Sequence, residues 1–197
     1  MNFNKKAITA GAFVLYDYLF IFMVGPNKEG DLGVVRFGGH RENDETIIEC
    51  LKRELKEEAS ITITLANSPV TYHIEEWDEE PKLIERDLEE DIYPIIIKGT
   101  QNGPLSVTYF AYSQEEPKPY FETHGILLLK LKDVELICKE LITIDDFLKS
   151  EGKALFQKEL RRDVILKPGV HLKWLSTLYK KNPDLIESFM TKSLEQV

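Results

Sequence analysis

The sequence predicts an α/β fold in which a mixed β-sheet carries at least one helix and is followed by a helical C-terminal extension. Three observations predict it. Up to about Leu131 the chain is built mainly of short β-branched and aromatic runs separated by turn residues. One segment among them, Thr46 to Ala59, carries apolar residues at helical spacing. From Asp133 onward helical patterns replace strand patterns. The chain has 197 residues, enough for one core, and its 43% hydrophobic and 30% charged content is that of a soluble globular protein. Disordered, collagen-like and coiled-coil classes are excluded.

Taken in order, Lys5 and Lys6 precede an apolar stretch from Ala7 to Gly25 that superficially resembles a signal peptide or a membrane span. Asp17 near its centre argues against a bilayer, and the β-branched and aromatic residues favour strands. The expectation is a hairpin of Ile8 to Leu15 and Leu19 to Val24, bending near Asp17. Pro26 to Asp31 is loop chemistry, and Val34 to Phe37 is a short strand ending at Gly38-Gly39, where a loop begins. Thr46 with Glu49 forms a capping-box pattern, and Ile48, Leu51 and Leu55 form the buried stripe of a helix running to Glu58 or Ala59. Strand patterns resume at Ile61 to Thr64, Val70 to Ile74, Ile92 to Ile97, Leu105 to Tyr112 and Ile126 to Leu131, with a turn at residues 101–104. Asp133 to Leu141 and Ile144 to Lys149 read as helices. A domain of residues 1–152 is thus followed by a helical extension, 153–197, whose Trp174, Leu175, Leu178 and Tyr179 would be poorly soluble if exposed. These side chains dock on the same domain or pair two copies as a homodimer.

The net charge of -9 is uneven. Ten acidic residues stand against Lys82 and Arg86 between Glu75 and Asp91, so this stretch carries -8 and the remainder -1. It reads as an exposed loop whose deletion leaves the fold intact. The body can hold a local basic site for a phosphate, yet it has no stripe suited to long nucleic acid. Cys50 and Cys138 lack zinc or disulfide spacing and read as buried thiols in a reducing, cytoplasmic compartment.

The chemistry concentrates on the helix. Glu54, Glu57 and Glu58 stand at i, i+3 and i+4, so three carboxylates share one face with Cβ atoms about 5–6 Å apart. Glu57 and Glu58 also lie in the last turn, where the macrodipole disfavours anions by roughly 0.3–1 kcal/mol each. A hard divalent cation relieves both penalties, because Mg²⁺ or Mn²⁺ takes oxygen ligands and bridges carboxylates to phosphates. The plain alternative is a solvated charged face with Lys52, Arg53 and Lys56 interleaved.

The triple does not stand alone. Gly39, five residues, Glu45, seven residues, then Arg53-Glu54-Leu55-Lys56-Glu57-Glu58-Ala59-Ser60-Ile61 forms a spaced pattern that resembles the Nudix box, matching every fixed position except the final Gly, where Ser60 stands. The resemblance implies a Nudix-like α/β/α sandwich out to about residue 150. It also implies Mg²⁺ or Mn²⁺ held by Glu54, Glu57, Glu58 and the backbone carbonyl of Gly38, with Glu54 as a base for the attacking water and Arg53 orienting the carboxylates. Glu45 is a supporting residue that would also favour a helix N-terminus in any protein. Two departures are visible: Ser60 costs roughly 1–2 kcal/mol if the helix exit is left-handed, and Phe37 replaces a Pro frequent before the Gly pair, leaving a less rigid loop.

Relatives often recruit a further Glu from a later loop, where Glu115, Glu116 and Glu122 are equal candidates. His40, His73, His124 and His171 are scattered and receive no catalytic role. Arg36 and Arg41 flank the Gly pair; each suits either phosphate contact or surface solvation. The expected function is a metal-dependent pyrophosphohydrolase cleaving a diphosphate linkage in a small nucleoside diphosphate derivative. The alternatives are a non-catalytic sensor or binding module of the same fold and an interaction protein using its acidic stretch.

Overall fold

The computed structural model describes residues 6–42, 44–85, 91–100 and 102–192. Its sheet grows from the N-terminal apolar run, which forms the expected hairpin: β1 (Ala7–Tyr16) and β2 (Leu19–Pro26) pair antiparallel, Val14 opposite Ile21. Asp17 and Tyr18 both take positive φ, 47° and 62°, the geometry of a two-residue turn whose twist suits the strands. Every residue from Ala10 to Leu15 is buried because the sheet is covered on both faces. The run therefore lacks polar alternation and imitates a membrane segment. Among the described residues no helix is long and apolar enough to cross a membrane.

Ten further strands join this hairpin: β3 (Leu32–Val35), β4 (Phe37–His40), β5 (Thr64–Ala66), β6 (Thr71–Ile74), β7 (Lys82–Ile84), β8 (Ile96–Lys98), β9 (Leu105–Tyr112), β10 (Gly125–Leu129), β11 (Lys153–Phe156) and β12 (Leu166–Pro168). The main path runs β11-β10-β2-β1-β9-β8-β6-β7, while β3 links β2 to β12, β4 pairs with β1 and β5 with β9. The pairs β1–β9, β6–β8 and β3–β12 are parallel and the others antiparallel, so the sheet is mixed as expected. Along one edge, β1 gives Thr9 to Ala12 to β4 and Val14 to Tyr16 to β2. The sheet forks there.

Helices cover both faces. On one, α1 (Ile47–Ala59) packs Ile47, Leu51 and Leu55 against Ala12, Val14, Ile21 and Tyr109. On the other, α2 (Leu131–Lys139), α3 (Ile144–Lys149), α4 (Val170–Lys181) and α5 (Pro183–Lys192) pack against Phe13, Leu15, Phe22 and Phe110. Alternate residues of one strand thus serve opposite cores, as the period of two requires. The result is the α/β/α layering anticipated from the sequence.

Several expectations need correction. The extension is not helical throughout: β11 pairs with β10 and β12 with β3, so residues 153–168 belong to the sheet and the 152/153 boundary cuts through a packed unit. Its helices begin at Val170, and Phe189 stacks on Phe110 and Tyr112 at centroid distances of 4.0 and 4.5 Å. The acidic stretch is only partly a free loop. Pro81 is buried, β7 pairs with β6, Trp77 stacks on Trp174, and Glu80 bonds Lys181 at 2.7 Å; residues 86–90 lie outside the described residues. Gly38-Gly39 does not open a loop but sits inside β4, next to the fully buried Phe37. Along α1, Ile47 and Cys50 take the buried places while Ile48 is only partly covered.

Candidate active site

Helix α1 starts where the sequence says it should, with Thr46 accepting from the Glu49 N–H and Glu49 reaching back to Thr46 N at 2.8 Å. It ends at Ser60, whose φ of 56° and ψ of 29° are left-handed. With its apolar stripe committed to the sheet, its carboxylate face meets β4. Gly38 holds φ at 122°, and a Cβ there would collide with the Ala10 carbonyl of β1. A Cβ on Gly39 would overlap the Glu54 carboxylate. Two adjacent residues without side chains are what let the helix acids approach the strand backbone.

Glu58 accepts from the Gly38 N–H at 2.9 Å. Burial nevertheless pushes its carboxyl up to about 7, and the charges of Glu54 and Glu57 add to the rise while the Gly38 bond and Arg36 oppose it. Arg53 gathers the rest. Its Nε donates to Glu45 at 2.7 Å, its Nη1 to Glu54 at 2.9 Å and Glu57 at 3.1 Å, and its Nη2 to the His40 carbonyl at 3.1 Å. A surface ion pair with Glu57 alone is therefore too small a description. Arg53 ties the start of the helix, its middle and β4 into one network. The side-chain bond to Arg53 and the Glu42 N–H hold the Glu45 carboxyl below the usual range.

The donor set suits a hard divalent cation: carboxylate oxygens from one helix, one of them pressed toward neutrality by burial and like charge. The cage is not assembled. Among the described residues no three Asp, Glu, His or Cys side chains already converge as ligands. Glu54 and Glu57 instead both bond the same guanidinium nitrogen of Arg53. Each of these two carboxylates gives Arg53 one oxygen and keeps the other, so Glu54, Glu57, Glu58 and the Gly38 carbonyl could hold Mg²⁺ or Mn²⁺ with Arg53 still in place.

The later-loop candidates divide. Glu115 accepts from the Thr62 N–H at 2.9 Å, so its carboxylate serves the turn after α1. Glu116 and Glu122 are exposed. The loop does reach the helix end: Lys118 N donates to the Ala59 carbonyl and Tyr120 N to that of Glu58. His73 bonds the Gly99 carbonyl and His124 that of Glu122, in keeping with structural roles.

Arg36 was half expected on the surface and is instead 8% exposed, its Nη1 donating to the carbonyls of Ala10 and Phe37. It lines a cavity of about 510 Å³ whose walls also include Gly38, Gly39, Trp77, Lys98 and His171. Trp77, Lys98 and His171 were not anticipated. The one signal in the sequence was a basic residue inside an otherwise apolar strand, Val34-Val35-Arg36-Phe37. A larger cavity, about 590 Å³, lies around Tyr18, Thr62 and Tyr112, and its lining holds no Lys, Arg or His. It does not suit a polyphosphate.

No family model matches the chain, and no curated protein matches it. Solved structures that it resembles include a NUDIX family hydrolase from Clostridium perfringens, 19% identical, with a TM-score of 0.47 over 66% of this chain and 84% of that one. A NUDIX hydrolase from Nitrosomonas europaea is 12% identical, with a TM-score of 0.47 over 93% and 74%. An ADP-ribose pyrophosphatase from Streptococcus suis is 15% identical, with a TM-score of 0.41 over 65% and 76%.

Proposed function

We propose that this chain is a Nudix-type, metal-dependent pyrophosphohydrolase that cleaves the diphosphate linkage of a small nucleoside diphosphate derivative. One observation carries the reading: Glu54 and Glu58 of the motif-bearing helix lie against the side-chain-free backbone of Gly38-Gly39. Glu54, Glu57, Glu58 and the Gly38 carbonyl would hold a divalent cation, which would supply charge neutralisation of the diphosphate and polarisation of the reacting phosphorus. Glu54 accepts the proton of the attacking water on a carboxylate oxygen. Arg53 holds Glu54 and Glu57 in register and is itself fixed by Glu45 and the His40 carbonyl. The two free cysteines support a cytoplasmic location.

The test is a screen of phosphate or nucleotide release from nucleotide sugars, dinucleotides and nucleoside triphosphates with Mg²⁺ and Mn²⁺, run on wild type and Glu58→Gln. Wild type is expected to turn over at least one member of the panel, and Glu58→Gln to lose orders of magnitude in rate while staying folded. A folded Glu58→Gln protein with wild-type turnover sinks the mechanism. A second reading, a nucleotide-metabolite sensor without hydrolysis, is favoured by the engagement of Glu54 and Glu57 with Arg53. Saturable nucleotide binding with no release under either metal would select it.

A further inference from the structure

Arg36 is a buried cation that feels the charge of Glu58 but makes no ion pair with it. Among the described residues no carboxylate comes within ion-pair distance of it, and its Nε has no hydrogen-bond partner. A buried guanidinium with one donor unpaired and no ion pair is costly unless a ligand completes it. Its place is made by the sequence, because a Cβ on Gly11 would overlap the guanidinium. Three other features face the same cavity. The Lys98 ammonium lies 4.5 Å from the Trp77 ring centre. Trp77 is 48% exposed yet is held parallel to the buried Trp174, at 3° and 5.6 Å between centroids. His171, edge-on to both indoles, keeps a buried Nε2 with no partner.

We propose that this cavity, built by β4, Trp77 of the acidic segment and His171 of the C-terminal extension, binds the nucleoside monophosphate portion of the substrate. Arg36 and Lys98 meet phosphate oxygens, the Trp77 indole takes the plane of the base, and the free His171 nitrogen meets a polar edge. The volume of about 510 Å³ is within the range of small-ligand pockets and accepts a group of this size. Cations beside an aromatic plane are the combination that recognises a phosphorylated, planar ligand. This rests on the hydrolase reading for the identity of the whole substrate. The binding itself does not need the metal.

The experiment titrates the full chain, in EDTA, with nucleoside monophosphates, ribose 5-phosphate and inorganic phosphate, followed by calorimetry and by the fluorescence of the two tryptophans. Nucleoside monophosphates are expected to bind saturably, to quench the fluorescence, and to bind at least about tenfold tighter than ribose 5-phosphate. Trp77→Leu and Lys98→Met should each weaken that binding about tenfold or more by calorimetry. Arg36→Met should weaken it too, and Arg36→Lys serves where that variant misfolds. Equal binding of nucleoside monophosphate and ribose 5-phosphate overturns the proposal. So does wild-type affinity in both the Trp77 and Lys98 variants. Monophosphate binding without any turnover removes the hydrolase reading and leaves this one standing, whereas turnover indifferent to these variants does the reverse.

Discussion

At the scale of single residues, the site holds two side chains in forms that solution would not favour. For Glu58, burial first and then Glu54 raise the carboxyl to about 7. The folded state therefore keeps a proton that the unfolded chain releases near 4.5, so this group's contribution to stability declines as pH rises from about 4.5 to 7 and stays low above. Glu58→Gln keeps an acceptor for the Gly38 N–H and removes the charge. In metal-free urea titrations it should match wild type near pH 4 and exceed it above pH 7, by on the order of 1–3 kcal/mol. His171 runs the other way. Burial, with Arg36 adding to it, pushes the imidazole down to about 2, so between pH 6.5 and 2 the unfolded chain binds the proton that the folded one refuses. Stability should fall as pH drops below 6.5, and an His171→Asn variant should show a shallower decline between pH 6 and 4 in thermal melts. Ser60 is a simpler case. It occupies a left-handed exit with no ligand role, and Ser60→Gly should raise stability by about 1 kcal/mol in denaturant unfolding without changing turnover.

At the scale of elements, α1 separates what holds it from what it does. Ile47, Cys50, Leu51, Leu55 and Ala59 fix it to the sheet, and its glutamates and Arg53 are free to work. Leu51, fully buried, is the anchor to test: Leu51→Ala should cost about 2–5 kcal/mol by denaturant titration. Arg53→Lys should leave stability within about 1 kcal/mol but lose the fork that joins Glu45, Glu54 and Glu57. Its metal affinity should fall about 10–100-fold by calorimetry with Mn²⁺. An unchanged affinity would mean that Arg53 merely neutralises the face.

At the scale of the whole molecule, the C-terminal extension is a layer of the sandwich. Leu172, Leu175, Leu178, Ile186 and Phe189 cover one side of the sheet, and β11 and β12 complete its edges. A chain ending at residue 152 should therefore be insoluble or bind hydrophobic dyes, whatever the metal present. The acidic segment is tied to that layer by the Trp77–Trp174 stack and the Glu80–Lys181 bond. Removing Trp77 with its neighbours should lower the melting temperature more than a surface-loop deletion would, although β1, β2 and α1 keep their own contacts.

How much of this was legible in the sequence follows from the range over which each feature is decided. The hairpin at Asp17, the capped helix from Thr46, the carboxylate face of Glu54, Glu57 and Glu58, and the left-handed risk at Ser60 are local, set by neighbours within one or two turns. Other features depend on residues far apart in the chain. β7, β11 and β12 are three or four residues long and exist because a partner edge is waiting, a fact no short window contains. Arg36 reads as a surface cation until Gly11 leaves room for it beneath β4, and Trp77 reads as part of a solvated acidic run until Trp174, 97 positions later (174 − 77), provides a face to stack on. The sequence by itself determined the helix and the residues of its acidic face. Only the tertiary structure decided that those acids meet bare backbone at Gly38 and Gly39 and that a cationic, aromatic cavity lies beside them, because burial and long-range contact are properties of the folded chain.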